Sequence, residues 1–132
     1  MSVLVDSNIL IDIFVKDKHW FSWSCDILQS LALQETLYIN PIIYAEISIS
    51  FQEMDDLEKI LPDFIRRADL PYEACFLAGK CFLEYRKRGG QKTSPLPDFF
   101  IGSHAFIKNW TLVSRDKGRY ETYFPHLKLI TP

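Results

Sequence analysis

The sequence predicts an α/β protein whose parallel sheet is covered by helices on both faces. Two observations support this fold class. Short apolar runs typical of buried strands alternate along the chain with longer segments of helical periodicity, as in parallel sheets. The 132 residues, 48% of them hydrophobic, suit one domain with a sizeable core, spanning residues 1–132, and contain no repeat or linker.

The first half of the chain carries two predicted strands and four predicted helices. Ser7 or Asn8 can cap the first helix, because both residue types favour that position. Asn40 followed by Pro41 is a second capping signal, and it predicts a helix despite the β-branched residues that follow. The predicted elements are a strand at 2–6, helices at 7–15 and 20–34, a strand at 36–40, and helices at 41–51 and 57–64, the last with Pro62 near its end.

The second half begins with a brief strand in residues 66–70. A long amphipathic helix follows and ends near Gly89 and Gly90, which are typical of helix ends. Residues 91–97 form a loop, 98–109 a helix and 111–114 a strand. Residues 115–126 are turn-like with one helical turn, and 127–131 form the last strand.

Composition and charge restrict the class of protein. The formal net charge of −2 provides no global attraction for nucleic acid, so any such site must be local. Acidic residues interrupt every apolar stretch, so no membrane span is predicted, and no basic segment of a signal peptide precedes the first strand. Cys25, Cys75 and Cys81 match no zinc spacing, and we expect three reduced thiols in a cytoplasmic protein.

Four acidic residues lie at the ends of predicted strands or in predicted helices. Asp6 ends the first strand and Asp116 follows the strand at 111–114, so both can lie at the carboxyl edge of the sheet, where ligands bind in such folds. Glu46 lies within a helix and Asp98 begins one, each in line with apolar residues. Each acid also has a plain interpretation: a helix cap for Asp6 or Asp98, a turn residue for Asp116, a half-exposed helix edge for Glu46.

The plain interpretations leave the position of Glu46 unexplained. Four carboxylates in one pocket cannot all ionise without cations. Mg²⁺ and Mn²⁺ prefer oxygen ligands and would compensate these charges. Sites of this kind hold phosphates and activate water for attack on phosphorus. The four acids therefore indicate a divalent-metal site that acts on phosphate groups.

Four segments carry a family resemblance: VLVDSNILID, YAEI, PDFFIGSHA and LVSRDKGRYETYFPHLKLITP. In this order they resemble the blocks of PIN-domain ribonucleases, specifically VapC-like toxins of toxin–antitoxin pairs. The resemblance implies a three-layer α/β/α sandwich with a central, mostly parallel sheet. It also implies Mg²⁺- or Mn²⁺-dependent endoribonuclease activity on RNA and a cognate antitoxin that blocks it.

By position, the resemblance assigns a role to several residues. Asp6, Glu46, Asp98 and Asp116 match the metal-binding acids of the family. Ser7 matches the hydroxyl residue after the first acid, and Asn8 completes that turn. Asp12 has no fixed counterpart and is interpreted as a solvated acid on the first helix.

Positive charge for RNA binding is expected in two places. Arg86, Lys87, Arg88 and Lys92 cluster at the end of the long helix and in the loop before Asp98. Such a cluster can also serve only as a favourable partner of the helix dipole. Arg115 or Arg119, beside Asp116, could approach the scissile phosphate or have a plain surface role.

The aromatic residues are expected to lie mostly in the core. Trp20 and Phe21 are adjacent, so one helix face cannot bury both, and the surplus suggests a surface for a homodimer or an antitoxin helix. The core prediction covers Trp20, Phe21, Trp23, Phe51, Tyr72, Phe76 and Tyr85.

Other functions remain open from the residues alone. A receiver or phosphatase domain, phosphorylated on aspartate, also ends an early strand on that residue, but it gives Glu46 no role. A non-catalytic RNA- or protein-binding module of the same fold would not need all four acids. A metal-free ribonuclease would use histidine, but His19, His104 and His126 follow no motif and are interpreted as structural.

Overall fold

The computed structural model describes the whole chain, residues 1–132, and contains five strands and seven helices. In chain order these elements are β1 (Ser2–Val5), α1 (Ser7–Phe14), α2 (Phe21–Gln34), β2 (Thr36–Ile39), α3 (Pro41–Ser48), α4 (Met54–Ile60), β3 (Ile65–Arg67), α5 (Tyr72–Lys87), α6 (Pro97–Lys108), β4 (Thr111–Val113), α7 (Gly118–Tyr123) and β5 (Leu129–Ile130).

The five strands form one sheet in the order β3-β2-β1-β4-β5, and every neighbouring pair is parallel. Crossovers between parallel strands are right-handed, so the change of direction after β3 places α5, α6 and α7 on the face opposite α1, α2 and α3. The predicted α/β/α sandwich is therefore confirmed. The strand order reverses between β1 and β4, and the carboxyl ends of these two strands form the topological switch point, where ligands bind in open α/β sheets.

The sheet is buried on both faces. Val3, Leu4 and Val5 of β1 are almost completely inaccessible, as are Leu112 and Val113 of β4. These residues belong to one cluster that also includes large side chains from the covering helices, above all Phe99 and Tyr120. The apolar runs of the sequence are central strands, and this burial supplies the main stabilisation of the fold.

The helix caps confirm one prediction and correct another. The side-chain oxygen of Asn40 accepts the N–H of Ile43 at 2.9 Å at the start of α3, as predicted. The cap of α1 is not Ser7 or Asn8 but Asp6, whose Oδ1 accepts the N–H of Ser7 at 2.8 Å. The prediction was wrong because the side chains of Ser7 and Asn8 bond to other elements instead.

Several boundaries differ from the prediction. Helix α3 ends at Ser48 rather than near residue 51, and α4 ends at Ile60 because Leu61, before Pro62, is extended. Strand β3 covers Ile65–Arg67 instead of 66–70. The predicted helical turn in residues 115–126 is α7, and the last strand is limited to β5.

The surface departs from the prediction at two aromatic residues. Tyr72 and Phe76 of α5 are 90% and 69% exposed instead of lying in the core. They lie one turn apart on the side of α5 away from its buried alanines, so the general expectation that large apolar side chains are buried fails at these two positions. Cys81 is buried, Cys25 and Cys75 are partly buried, and all three are free thiols.

None of the seven helices combines the length and the apolar character needed to cross a membrane.

Candidate active site

Asp6 lies at the topological switch point and is only 3% exposed. Its backbone N–H donates to the carbonyl of Val113 at 3.0 Å, which extends the pairing of β1 with β4 by one residue. Its Oδ2 accepts two hydroxyl groups, Ser114 Oγ at 2.7 Å and the Tyr120 hydroxyl at 2.8 Å. Hydrogen bonds from three directions thus hold this buried carboxylate at the end of its strand.

Asp98 is brought to Asp6 by helix α6 and by Tyr120. It lies in the first turn of α6, just after Pro97, and is not the cap, which is Leu96. The Tyr120 hydroxyl is 3.3 Å from Asp98 Oδ1, so one phenol oxygen lies between the two carboxylates. Because Tyr120 is almost fully buried, this bridge lies inside the protein rather than on its surface.

Glu46 reaches the same site from helix α3. Ser7 Oγ donates to Glu46 Oε1 at 2.8 Å, and Ser7 follows Asp6 directly in the chain. Helices α3 and α6 contact each other, so the elements that carry Glu46 and Asp98 are neighbours. Glu46 is half-buried, as the plain interpretation of a half-exposed helix edge also expects, but its hydrogen bond to Ser7 directs its carboxylate towards Asp6.

Asp116 completes the set from the loop after β4. Its Oδ2 accepts a long hydrogen bond of 3.4 Å from Asn8 Nδ2, and its N–H donates to Ser114 Oγ at 3.0 Å. The side chain of Asp116 is exposed, unlike that of Asp6. The four acids of the sequence prediction therefore lie around one site, with Ser7 and Asn8 as their connecting partners.

The electrostatics of the site confirm that the carboxylates influence one another. Burial raises the pKa of Asp6 to about 6, although its hydrogen bonds favour the ionised form. Burial also raises the pKa of Glu46 and of Asp98. The negative charge of Asp98 adds to the upward pKa shift of Asp6 and of Glu46, and the charge of Asp116 adds to that of Asp98. The site is thus short of positive charge.

Comparison with known proteins identifies the fold family. Residues 3–125 match the family described as PIN domain. The chain belongs to the PIN domain family. A comparison with curated proteins gives no significant match.

Solved structures of similar fold come from toxin–antitoxin complexes. A chain of VapBC2 from Rickettsia felis, bound to a DNA fragment from its promoter, is 22% identical with a TM-score of 0.76, and the match covers 100% of this chain and 99% of that one. A chain of VapBC-1 from nontypeable Haemophilus influenzae is 19% identical with a TM-score of 0.73, covering 99% and 98%. A chain of FitAcB from Neisseria gonorrhoeae is 17% identical with a TM-score of 0.72, covering 98% and 97%. These likenesses confirm the fold.

The donor set of this PIN domain fits a hard divalent cation. No three His, Cys, Asp or Glu side chains are positioned to hold a metal ion together in the present arrangement. The oxygens of Asp6 and Asp98 are instead bonded to Ser114, Tyr120 and Arg119. All candidate ligands are carboxylate or hydroxyl oxygens, the donors that Mg²⁺ and Mn²⁺ prefer, and a cation would compensate carboxylates whose pKa burial raises.

The interpretation of Asp12 as a solvated acid is wrong. This residue was expected to be solvated, but it is 1% exposed and forms an ion pair with Arg115, whose Nε and Nη2 donate to its two oxygens at 2.9 and 3.1 Å. The physical reason is that α1 is covered by α2 on this side, so only a paired carboxylate is tolerated there. The guanidinium of Arg115 therefore pairs with Asp12.

Two of the other predicted basic residues, Arg119 and Arg88, lie at or near the acids of the PIN domain site. Arg119 Nη1 donates to Asp98 at 3.3 Å, so this arginine lies at the acids. The Arg88 guanidinium, at the end of α5, lies 5.2 Å from the ring of Tyr123 in α7, and that ring packs against Phe99, the neighbour of Asp98. The end of α5 therefore adjoins the helix that carries Arg119.

Two residues of the site were missed by sequence reasoning. Tyr120 was counted only as part of a turn, and Ser114 only as the end of a strand. Both lie in the segment SRDKGRY, and their hydroxyls meet at Asp6 Oδ2. For Ser114, the available signal was a hydroxyl residue directly after a buried strand. The inward direction of Tyr120 depends on α7, which has only six residues, too few for periodicity to predict its buried face.

Proposed function

We propose that this PIN domain is a metal-dependent endoribonuclease and the toxin of a toxin–antitoxin pair. The observation that carries the proposal is the meeting of Asp6, Glu46, Asp98 and Asp116 at the switch point of the sheet, where the pKa of three of them is raised. Carboxylates so arranged are costly unless a cation or a ligand compensates them. In a metal-dependent nuclease site, the bound cation would compensate these carboxylates.

Each residue has a role in the proposed reaction. Asp6, Glu46, Asp98 and Asp116 would bind Mg²⁺ or Mn²⁺ as catalytic ligands, and Ser7 and Asn8 would orient Glu46 and Asp116 through the bonds described above. A bound divalent cation supplies Lewis acidity, which lowers the pKa of water and neutralises charge on phosphate. Ser114 and Tyr120 would hold Asp6 in one rotamer while it binds, as outer hydrogen-bond partners do at metal sites.

The three rival functions have less support. A phosphorylated-aspartate domain assigns no role to Glu46, yet Ser7 Oγ holds Glu46 at the site. A non-catalytic module would not need four acids around one buried position. A histidine-based ribonuclease is also unsupported, since His104 bonds to Asn40 at 3.0 Å and no histidine has a hydrogen bond or ion pair with the acids.

The proposed protein partners are a cognate antitoxin and a second copy of the chain. The similar folds come from complexes named VapBC and FitAB, which supports an antitoxin partner. Most of the exposed large apolar side chains lie in two parts of the chain, and exposed apolar patches favour protein contacts. They are Ile49, Met54, Ile60 and Phe64 in and around α3 and α4, and Tyr72, Phe76 and Leu83 on α5. The free thiols fit a reducing compartment such as the cytoplasm.

Growth experiments test the toxin proposal. Expression of the wild-type chain without its antitoxin should arrest growth and degrade cellular RNA, whereas expression of Asp98→Asn to the same level should do neither. Growth at a normal rate with high levels of folded wild-type protein, in cells that lack any antitoxin, would contradict the proposed function.

The basic cluster can be tested through the salt dependence of RNA binding. Changing Arg86, Lys87 and Arg88 together to alanine should reduce the slope of log affinity against log salt by about 2, because fewer counterions are released. The cleavage step should be retained at saturating RNA. A control changes Lys59 and Lys108, which lie in the last turns of α4 and α6, to alanine. An unchanged slope in the triple variant would assign the cluster to the helix dipole alone.

A further inference from the structure

The pairing of Asp12 with Arg115 connects three elements of the structure. Asp12 lies in α1, and its Oδ2 accepts Ser24 Oγ of α2 at 2.9 Å as well as Arg115 Nε at 2.9 Å. Its Oδ1 accepts Arg115 Nη2 at 3.1 Å. Both carboxylate oxygens are therefore satisfied, and the Arg–carboxylate contact is bidentate, the strongest and most directional form of this pair.

The same face of α1 also holds the backbone of Arg115. Asn8 lies one turn before Asp12, and residues four apart share a helix face. Asn8 Oδ1 accepts the backbone N–H of Arg115 at 3.0 Å, while its Nδ2 donates to Ser114 Oγ at 3.1 Å and to Asp116 Oδ2. One helix face thus contacts three consecutive residues at the end of β4.

The guanidinium of Arg115 is also restrained by Trp20, whose ring lies 5.5 Å from it. Two of its three nitrogens donate to Asp12 and one face of the guanidinium lies towards an indole, so Arg115 is held mainly by contacts within the protein. The side chain of Asp116, by contrast, is weakly restrained, because it is exposed and its only hydrogen bond is the long one to Asn8. The position of Asp116 therefore depends on its neighbour in the chain.

We infer that Asp12 and Arg115 act as a positioning pair, which holds the loop after β4 so that Asp116 faces the other three acids. This inference rests on the proposed function, since positioning matters only if Asp116 binds a cation. Neither member of the pair touches RNA or the metal. The pair acts through the backbone of residues 114–116. In this inference Arg115 has a supporting role in the site and is not part of the RNA-binding surface.

The test uses a double-mutant cycle of Asp12→Asn, Arg115→Met and their combination. The single change Arg115→Met leaves a buried carboxylate uncompensated and can unfold the chain, so the combined variant, which removes both charges, is the decisive one. Arg115→Lys keeps the charge without the bidentate geometry. Arg67→Met is the matched control, because Arg67 forms an exposed ion pair with Glu58.

Three measurements are made on each folded variant at a temperature well below its melting point. They are the Mn²⁺ dissociation constant by calorimetry, kcat and KM for RNA, and amide hydrogen exchange of residues 114–117. In the combined variant, Mn²⁺ affinity and kcat should each fall by about tenfold or more, with KM and the salt slope unchanged. Its loss should be no greater than that of Arg115→Met, because the two residues act as one unit. Arg115→Lys should recover part of the affinity, and Arg67→Met should behave as wild type.

Other outcomes would overturn the inference. A higher KM with a shallower salt slope would make Arg115 an RNA contact. Unchanged Mn²⁺ affinity and kcat with only a lower melting temperature would make the pair purely structural. If wild-type protein neither binds Mn²⁺ nor cleaves RNA, the proposed function fails. Hydrogen exchange then still tests whether the pair holds the loop: faster exchange of residues 114–117 in the combined variant supports this, and unchanged exchange contradicts it.

Discussion

The variant Asp98→Asn should lose RNA cleavage while keeping its fold. Asparagine preserves the shape of Asp98 but removes one of the four proposed charged ligands. We expect cleavage with Mg²⁺ or Mn²⁺ to fall by more than about 100-fold, beyond the usual cost of losing an outer partner of a metal ligand. The metal-free variant should be at least as stable as wild type, because burial and the neighbouring acids raise the pKa of Asp98, so its charge is unfavourable in the fold.

The measurements are gel-based cleavage of RNA and thermal unfolding with and without Mn²⁺. Mn²⁺ should raise the melting temperature of wild type more than that of Asp98→Asn, since a ligand of the native state stabilises it. Asp55→Asn is a matched control, because Asp55 also lies in the first turn of a helix, α4, but is exposed. Full activity of Asp98→Asn, or cleavage by wild type in EDTA, would refute the metal site.

The second large effect concerns the pH dependence of stability at Asp6. Its pKa is about 6 in the folded protein against an ordinary 3.8, so the folded state favours the protonated form. The stabilisation is complete below pH 3.8 and is lost as the pH rises through 6, a change of about 3 kcal/mol for a shift of this size. Asp6→Asn cannot undergo this loss. The variant should therefore gain stability relative to metal-free wild type as the pH rises from 4 to 7.5.

The difference between two proteins is the quantity to measure, because another group acts in the opposite direction. Burial lowers the pKa of His104 to about 4, so acidification destabilises the fold through this residue. That contribution is common to wild type and Asp6→Asn and cancels in the difference of their unfolding free energies from urea titrations. A difference that stays constant between pH 4 and 7.5 would mean that Asp6 is not desolvated as the structure has it.

The fold was predictable because its strands are buried on both faces. Runs such as Val3 to Val5 have no helical periodicity and no alternation, which is typical of central parallel strands. The order of the strands was not predictable from these runs, because pairing is decided by long-range packing. The ends of α3 and α4 were misplaced because apolar residues, among them Ile49 and Leu61, continue past the last helical turn into the following loops.

The candidate site was predictable where polar residues interrupt an apolar pattern. Asp6 and Glu46 stood out because buried positions surround them in the sequence. Asp12 occurs in the same apolar helix yet was misread, because its partner Arg115 is 103 residues away and nothing local indicates the pair. Tyr120 was missed because tyrosine occurs both in protein cores and at surfaces. Only the tertiary structure directs its hydroxyl to Asp6.

The chemical nature of the RNA ends produced by the wild-type chain tests metal-dependent hydrolysis most directly. Water activated at a carboxylate-bound cation attacks phosphorus without using the 2′-hydroxyl of the RNA. Mass spectrometry of products formed in Mn²⁺ should therefore find 5′-phosphate and 3′-hydroxyl ends, and EDTA should abolish their formation. Products ending in 2′,3′-cyclic phosphate, formed equally in EDTA, would contradict the role proposed for Asp6, Glu46, Asp98 and Asp116.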